Sequence, residues 1–186
     1  MDVEYLFRPH DEAPLCDGVS MGHYVMRSLP SGDLGTDSLG SCFAFIYITQ
    51  KKQASYVLMA HVATDGDEKW LRDLNLSQGS DDELFIMVTG KGPNKNTEAR
   101  MARLQNAYHI PKEHIKSNQD KVGGVMVGSV KADTKTVIIT SCSGIKARDA
   151  ADYKAKTNGA WGKGNQDPLS PQTATDGQNY DNEFEG

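Results

Sequence analysis

The chain contains no stretch approaching the roughly 20 consecutive apolar residues that a membrane-crossing helix needs. Nor does it have an excess of positive charge. Its 20 Lys and Arg stand against 25 Asp and Glu, giving a formal charge of −5 and a pI near 5.5. A generic grip on nucleic acid needs surplus cations to displace counterions from phosphate, so this balance argues against one. Cysteine is scarce and unpaired: Cys16, Cys42 and Cys142 are widely spaced, odd in number, and form no Cys-x-x-Cys. A disulfide framework or a structural zinc site is not expected from that pattern. The opening Met1-Asp2-Val3-Glu4 lacks the basic flank and apolar run of a signal peptide. The expectation is a reduced, cytoplasmic protein that binds neither membrane nor nucleic acid.

The 186 residues, 38% of them hydrophobic, suit one domain of ordinary size with an appendage. Residues 1–18 carry Pro9, Pro14 and several acids and read as a loosely attached N-terminal arm. From Lys146 the composition shifts to Asn, Gln, Asp, Gly and Thr with almost no aliphatic residues. Such a segment buries too little apolar surface to offset its ordering entropy, so residues 146–186 read as a flexible polar tail. Trp161, Tyr180 and Phe184 are among its few large apolar groups and could dock locally. Residues 19–145 remain as the folded domain.

Strand signals dominate that domain. Cys42–Ile48 and Ser55–Val62 are continuous apolar runs separated by the polar turn Gln50-Lys51-Lys52-Gln53, which predicts an antiparallel pair. Leu84–Val88, Val122–Val130 and Thr134–Thr140 supply three more strands, the last two joined at Asp133-Thr134-Lys135. Helical spacing places Trp70, Leu71 and Leu74 on one stripe of Asp67–Leu76. It places Met101, Leu104 and Tyr108 on one stripe of Thr97–Tyr108, with Asn96 as its cap. The expected fold is an α/β sandwich with a mixed, largely antiparallel central sheet and flanking helices.

If the first two strands pair around their turn, equal arms of eight residues bring Cys42 beside His61 at one sheet edge. A shift of one residue would put the two on opposite faces. The chemistry of the pair is coherent. A thiol with an ordinary pKa near 8.5 is only slightly ionised at neutral pH, and a neighbouring imidazole can take its proton and hold the thiolate as an ion pair. Gly40 allows a tight turn ahead of the cysteine, where backbone N–H groups around Ser41 and Cys42 can hold an oxyanion. Thr36 can engage the other nitrogen of His61 and fix its tautomer. The bland alternatives are a buried core cysteine, a strand-end histidine bonded to backbone, and a loop threonine.

The run Thr36-x-x-Leu39-Gly40-Ser41-Cys42, followed by a strand and then Ala60-His61-Val62, resembles the motif of the chemoreceptor glutamine deamidases of the CheD family. That resemblance implies a catalytic triad of Cys42, His61 and Thr36. It also implies the fold shared with glutamine-deamidating bacterial toxins of the cytotoxic necrotizing factor type. The segment Phe85–Gly92, the helix over Thr97–Tyr108 and Asp120–Gly124 follow in the family's order, so the likeness spans about residues 20–140. The chain departs from the pattern after His61, where Val62-Ala63-Thr64-Asp65 stands in place of Met-Leu-Pro. It departs again after Gly123-Gly124, where the family's Gly-Arg is missing.

The resemblance implies hydrolysis of a glutamine carboxamide in a partner protein, without a cofactor or metal, by a cellular regulator or by an effector delivered to another cell's cytosol. A non-catalytic adaptor and a related thiol hydrolase or transglutaminase are the alternatives.

Other motifs are weaker. Gly90–Thr97 does not match a phosphate-binding loop, and Pro93 removes an N–H that such a loop would use. His109 and His114, five apart across Pro111, form no helical metal pair and read as surface, and Asp81-Asp82-Glu83 reads as a solvated loop.

Overall fold

The computed structural model of the chain describes residues 1–12, 15–29, 34–51, 54–63, 68–76, 82–90, 92–117, 123–128, 136–147 and 166–168. Among these, β1 (Asp2–Arg8), β2 (Leu15–Gly18), β3 (His23–Leu29), β4 (Leu34–Thr36), β5 (Phe43–Lys51) and β6 (Ala54–Val62) precede the first helix, α1 (Lys69–Asp73). Then come β7 (Glu83–Thr89), α2 (Lys95–Tyr108), β8 (Ile115–Lys116), β9 (Gly124–Val127), β10 (Thr136–Cys142), β11 (Lys146–Ala147) and β12 (Gln166–Pro168).

These strands form two mixed six-stranded sheets rather than one central sheet. The first has the order β1-β10-β9-β4-β2-β11, and the second β12-β3-β6-β5-β7-β8. Alternation along each strand makes the layers. In β5, Ala44, Ile46 and Ile48 face the first sheet and join Val57 and Met59 of β6, Leu34 of β4, Val125 and Val127 of β9, and Val137 and Ile139 of β10. The intervening Phe43, Phe45 and Tyr47 face the other way, against Leu71 of α1 and Met101, Leu104 and Tyr108 of α2. A strand covered on both faces needs apolar residues at every position, which is why β5 reads as an unbroken run. The architecture is a mixed α/β sandwich with two sheets, both helices lying on the outer face of the second.

α2 starts at Asn94, two residues before the expected cap. The Asn94 side chain accepts the Thr97 N–H at 2.9 Å, satisfying one of the helix's orphan donors. The helix ends at His109 in the left-handed conformation, with Pro111 just beyond. α1 is shorter than the expected Asp67–Leu76. Glu68 beside it is buried and receives Arg103 of α2 and Arg72 of its own turn, tying the two helices together.

Residues 1–18 are not a loose arm. β1 pairs in parallel with β10 from Asp2↔Thr136 to Arg8↔Cys142, and β2 pairs in parallel with β4. The tail boundary moves as well, because Lys146–Ala147 pairs with Leu15–Cys16 and Gln166–Pro168 pairs with His23–Val25. Trp161, Tyr180, Phe184 and the turn Asp133-Thr134-Lys135 lie outside the described residues. His114, expected at the surface, is half-buried, and its Nδ1 has no hydrogen-bond partner among the described residues. Glu83 belongs to β7 rather than to a loop, and accepts the Tyr47 hydroxyl at 3.0 Å.

Candidate active site

β4 lies in the first sheet and β5 in the second, so residues 37–41 carry the chain across the sandwich at one end. The crossing is tight. Ser38 and Gly40 have φ of 57° and 41°, a left-handed conformation that costs an ordinary residue roughly 1 kcal/mol and glycine little. The Cys42 N–H closes the turn by donating to the Leu39 carbonyl, and Gly92 N–H donates to Gly40 O at 3.0 Å. A Cβ on Gly90 would stand 2.5 Å from Gly40 N and 2.6 Å from Gly40 O, so two backbones touch where any side chain would separate them.

Thr36 is the last residue of β4 and shares the inward parity of Leu34. It is fully buried, and its hydroxyl meets His61 of the opposite sheet: Oγ1 lies 2.7 Å from His61 Nδ1 and 2.8 Å from the Val19 carbonyl oxygen. A hydroxyl has one hydrogen, and a carbonyl can only accept. Thr36 therefore donates to Val19 and accepts from His61. The imidazole carries its proton on Nδ1 and leaves a lone pair on Nε2. That Nε2 is buried and has no hydrogen-bond partner among the described residues. Burial holds the ring's pKa down to about 3, so the imidazole is neutral at pH 7. The resting imidazole is thus not the cationic half of the ion pair expected from the sequence.

The register of β5 against β6 pairs Ala44 with His61 and Lys51 with Ala54. Gln50 and Lys51 therefore belong to the strand instead of the turn, while Lys52 and Gln53 lie outside the described residues. The slip relative to the expected Cys42↔His61 pairing is two residues. Because side chains alternate with period two, an even slip preserves the face. Cys42 sits one step before β5, where continuing the register would set it diagonal to His61. It is 5% exposed and His61 1%, beneath the exposed Gly40 and half-exposed Ser41.

Of the backbone donors expected to hold an oxyanion, the Cys42 N–H is already engaged with Leu39, while the adjoining Gly40 is exposed and Ser41 half-exposed. Three contacts were beyond the reach of sequence: the Val19 carbonyl on Thr36, the Thr97 hydroxyl on the Ser41 carbonyl, and the Arg100 guanidinium on the Ala63 carbonyl. Each uses a backbone acceptor, which has no signature in residue type.

The other cysteines sit elsewhere. Cys16 and Cys142 pack with Met126 and Ile145 on the outer face of the first sheet. Burial, with the nearby Asp37 charge, pushes the Cys142 thiol up to about 11. His109 caps α2 and His114 lies in the short turn before β8, both away from the Cys42 turn in sequence and in element. Among the described residues no three His, Cys, Asp or Glu side chains converge as a metal site, and no helix is long and apolar enough to cross a membrane. Comparison of the chain with protein-family models and with curated proteins gives no match.

Proposed function

We propose that this protein is a cysteine-dependent protein-glutamine deamidase on a CheD-like scaffold. The observation that carries the reading is the Val19–Thr36–His61 chain. It fixes the one tautomer in which Nε2 is a base, on the sheet face and at the sheet edge where Cys42 begins the neighbouring strand.

His61 Nε2 takes the thiol proton as Cys42 Sγ attacks the carboxamide carbon of a substrate glutamine, forming the C–S bond. The carbonyl oxygen becomes an oxyanion held by the Gly40 and Ser41 N–H groups, a contact whose loss costs on the order of 3 kcal/mol of barrier. The imidazolium returns its proton to the nitrogen, ammonia leaves, and a thioester remains. Water then gives its proton to His61 and attacks the thioester. The C–S bond breaks, the imidazolium returns that proton to the departing thiolate, and glutamate is released with the free thiol regenerated and no cofactor consumed. Through the first step the imidazolium's Nδ1–H leans on Thr36 and, through it, on the Val19 carbonyl, a hydroxyl and a carbonyl in place of a carboxylate. A glutamine side chain, long and narrow, suits a thiol set just below the surface.

The near-complete cover over Cys42 and His61 favours a second reading, in which the scaffold is a protein-interaction adaptor and the thiol is incidental. Wild type and Cys42→Ser, incubated with candidate partner proteins, separate the two. Deamidation gives ammonia release and a mass gain of about one dalton in the partner with wild type alone. Equal binding by both with no mass change supports the adaptor. Incorporation of an added primary amine supports a transglutaminase-like enzyme acting through the same thioester.

A further inference from the structure

α2 touches the candidate site twice, through residues one turn apart. The Thr97 hydroxyl donates to the Ser41 carbonyl, immediately ahead of Cys42. Arg100 Nη1 donates to the Ala63 carbonyl, two residues past His61. Residues at i and i+3 share one helix face, and that face lies across the ends of β5 and β6. Thr97 is itself fixed: it is 1% exposed, its N–H donates to Asn94 Oδ1 at 2.9 Å, and its Oγ1 lies 3.1 Å from the same oxygen. The helix cap and the nucleophile turn therefore share one side chain.

We infer that Thr97 and Arg100 are positioning residues, a two-point clamp by which the first turns of α2 set the spacing between Cys42 and His61. The inference rests on the proposed activity for its catalytic consequence but not for its structural one.

The physical case begins with the diagonal relation of Cys42 to His61. Directly opposed residues are held by ladder hydrogen bonds. Cys42 lies one residue outside the β5–β6 ladder; its carbonyl accepts the Gly90 N–H at 3.4 Å, and its position is set by that contact together with the turn formed by residues 39–42. On one side that turn is buttressed by Gly90 and Gly92, with the Gly92 N–H on the Gly40 carbonyl. The Thr97 hydroxyl is the side-chain tether on the Ser41 carbonyl, next along the chain. Arg100 does the same for the far end of β6, where the chain leaves the sheet after Val62. Releasing the Thr97 tether leaves both sheets and the core intact but lets the Cys42 turn move against His61, which its pairing with Ala44 and the Gly22 N–H on its carbonyl keep in the ladder; releasing Arg100 loosens only the chain beyond Val62. A displacement of about 1 Å at a reacting centre can cost on the order of a hundredfold in rate.

The test uses the full chain as Thr97→Val, which keeps the shape and removes the hydroxyl, and Thr97→Ser, which restores it. Two measurements are made on each. The first is iodoacetamide labelling at pH 7 with the modified cysteine located by mass spectrometry. The second is deamidation of a partner protein, resolved into kcat and KM. Thr97→Val is expected to label Cys42 at least threefold faster, because a thiol that is 5% exposed becomes easier to reach. Its kcat is expected to fall tenfold or more at unchanged KM, and Thr97→Ser to restore both. Opposite movement of labelling and turnover is the signature of a thiol uncovered but misplaced.

Equal Cys42 labelling in wild type and Thr97→Val overturns the clamp, whether or not deamidation is detected. So does labelling of Cys16 and Cys142 along with Cys42, since that marks general loosening. Absence of ammonia release by wild type, with the labelling signature present, overturns the activity and leaves the clamp standing. Arg100→Met is expected to lower kcat less than Thr97→Val and without the rise in Cys42 labelling, because His61 stays held by Ala44, Gly22 and Thr36; a rise in Cys42 labelling equal to that of Thr97→Val overturns the division of the clamp into two points.

Discussion

Thr36 Oγ1 and His61 Nδ1 are 2.7 Å apart across the gap between the two sheets, and the Val19 carbonyl beyond them fixes which atom donates. The arrangement orients the ring without a carboxylate. It leaves His61 a weak base at rest, held neutral by burial, whose protonated form gains only from a hydroxyl and a carbonyl in series.

Thr36→Val removes that link while keeping the volume. The Val19 carbonyl and the His61 Nδ1–H both lose their partner inside the sandwich, and each unsatisfied buried group costs about 1–3 kcal/mol. The urea midpoint of Thr36→Val should therefore drop clearly below wild type, with Thr36→Ser close to wild type. If activity is present, kcat should fall in Thr36→Val. Unchanged midpoints would mean the contact contributes nothing.

The depressed pKa of His61 makes stability depend on pH with a definite sign. In the unfolded chain the ring protonates near 6.5, while in the folded protein it resists protonation down to about 3. The unfolded state therefore binds the extra proton between those values. The stabilisation is fully present above pH 6.5 and is lost as pH falls below it, by about 1.4 kcal/mol per pH unit. His61→Gln lacks this loss, so its stability deficit relative to wild type should shrink stepwise in urea titrations at pH 7, 6 and 5. His114, also pushed down, first by burial, contributes equally to both proteins and cancels. A deficit constant across that range would show that the ring is not buried neutral.

The strands that sequence exposes are those covered on both faces or lying deep between the sheets. Phe43–Ile48 of β5, Tyr56–Ala60 of β6 and Leu84–Val88 of β7 are unbroken apolar runs. β1 is harder: Val3 and Tyr5 turn inward while Asp2 and Glu4 face out, an alternation that was present but short and interrupted by the charges themselves. Its partner β10 is more than 120 residues away, and a parallel pairing over that separation leaves no local trace. β2 and β4 are too short, and too rich in glycine and aspartate, to show periodicity.

At the candidate site, Thr36, Cys42 and His61 stand out in the sequence by residue type and order, and of their pairings the structure contains the Thr36–His61 contact. The register was misjudged by two because Lys51, a polar residue, extends the strand where polarity suggested a turn. The tethers from α2 join residues 56 and 37 positions apart in sequence through backbone carbonyls, and only packing brings them together.

The three thiols should differ in reactivity toward iodoacetamide at pH 7. Cys142, held near 11 first by burial and then by Asp37, is ionised to only on the order of one part in ten thousand, and Cys16 is fully covered. Cys42 has the most exposure of the three and a neutral imidazole base on its own sheet face. It should label first, and His61→Gln should slow that labelling. Labelling of Cys42 behind Cys16 or Cys142 would remove the ground for treating it as the nucleophile.

Gly90 and Gly92, two residues apart, give opposite expectations for the same substitution. A methyl group on Gly90 would fall 2.5 Å from Gly40 N and 2.6 Å from Leu39 C, both backbone atoms that cannot rotate aside. The turn before Cys42 or the end of β7 must then shift, so Gly90→Ala should lower the urea midpoint and, if the proposed activity is present, reduce kcat. A methyl on Gly92 meets nothing within 4 Å. Gly92→Ala should be neutral or stabilising by up to about 1 kcal/mol, through loss of unfolded-state freedom. Comparing the pair by urea denaturation and Cys42 labelling isolates the backbone contact from the general effect of replacing glycine. Equal behaviour of the two variants would show that the close approach of Gly90 to Gly40 does not hold the cysteine in place.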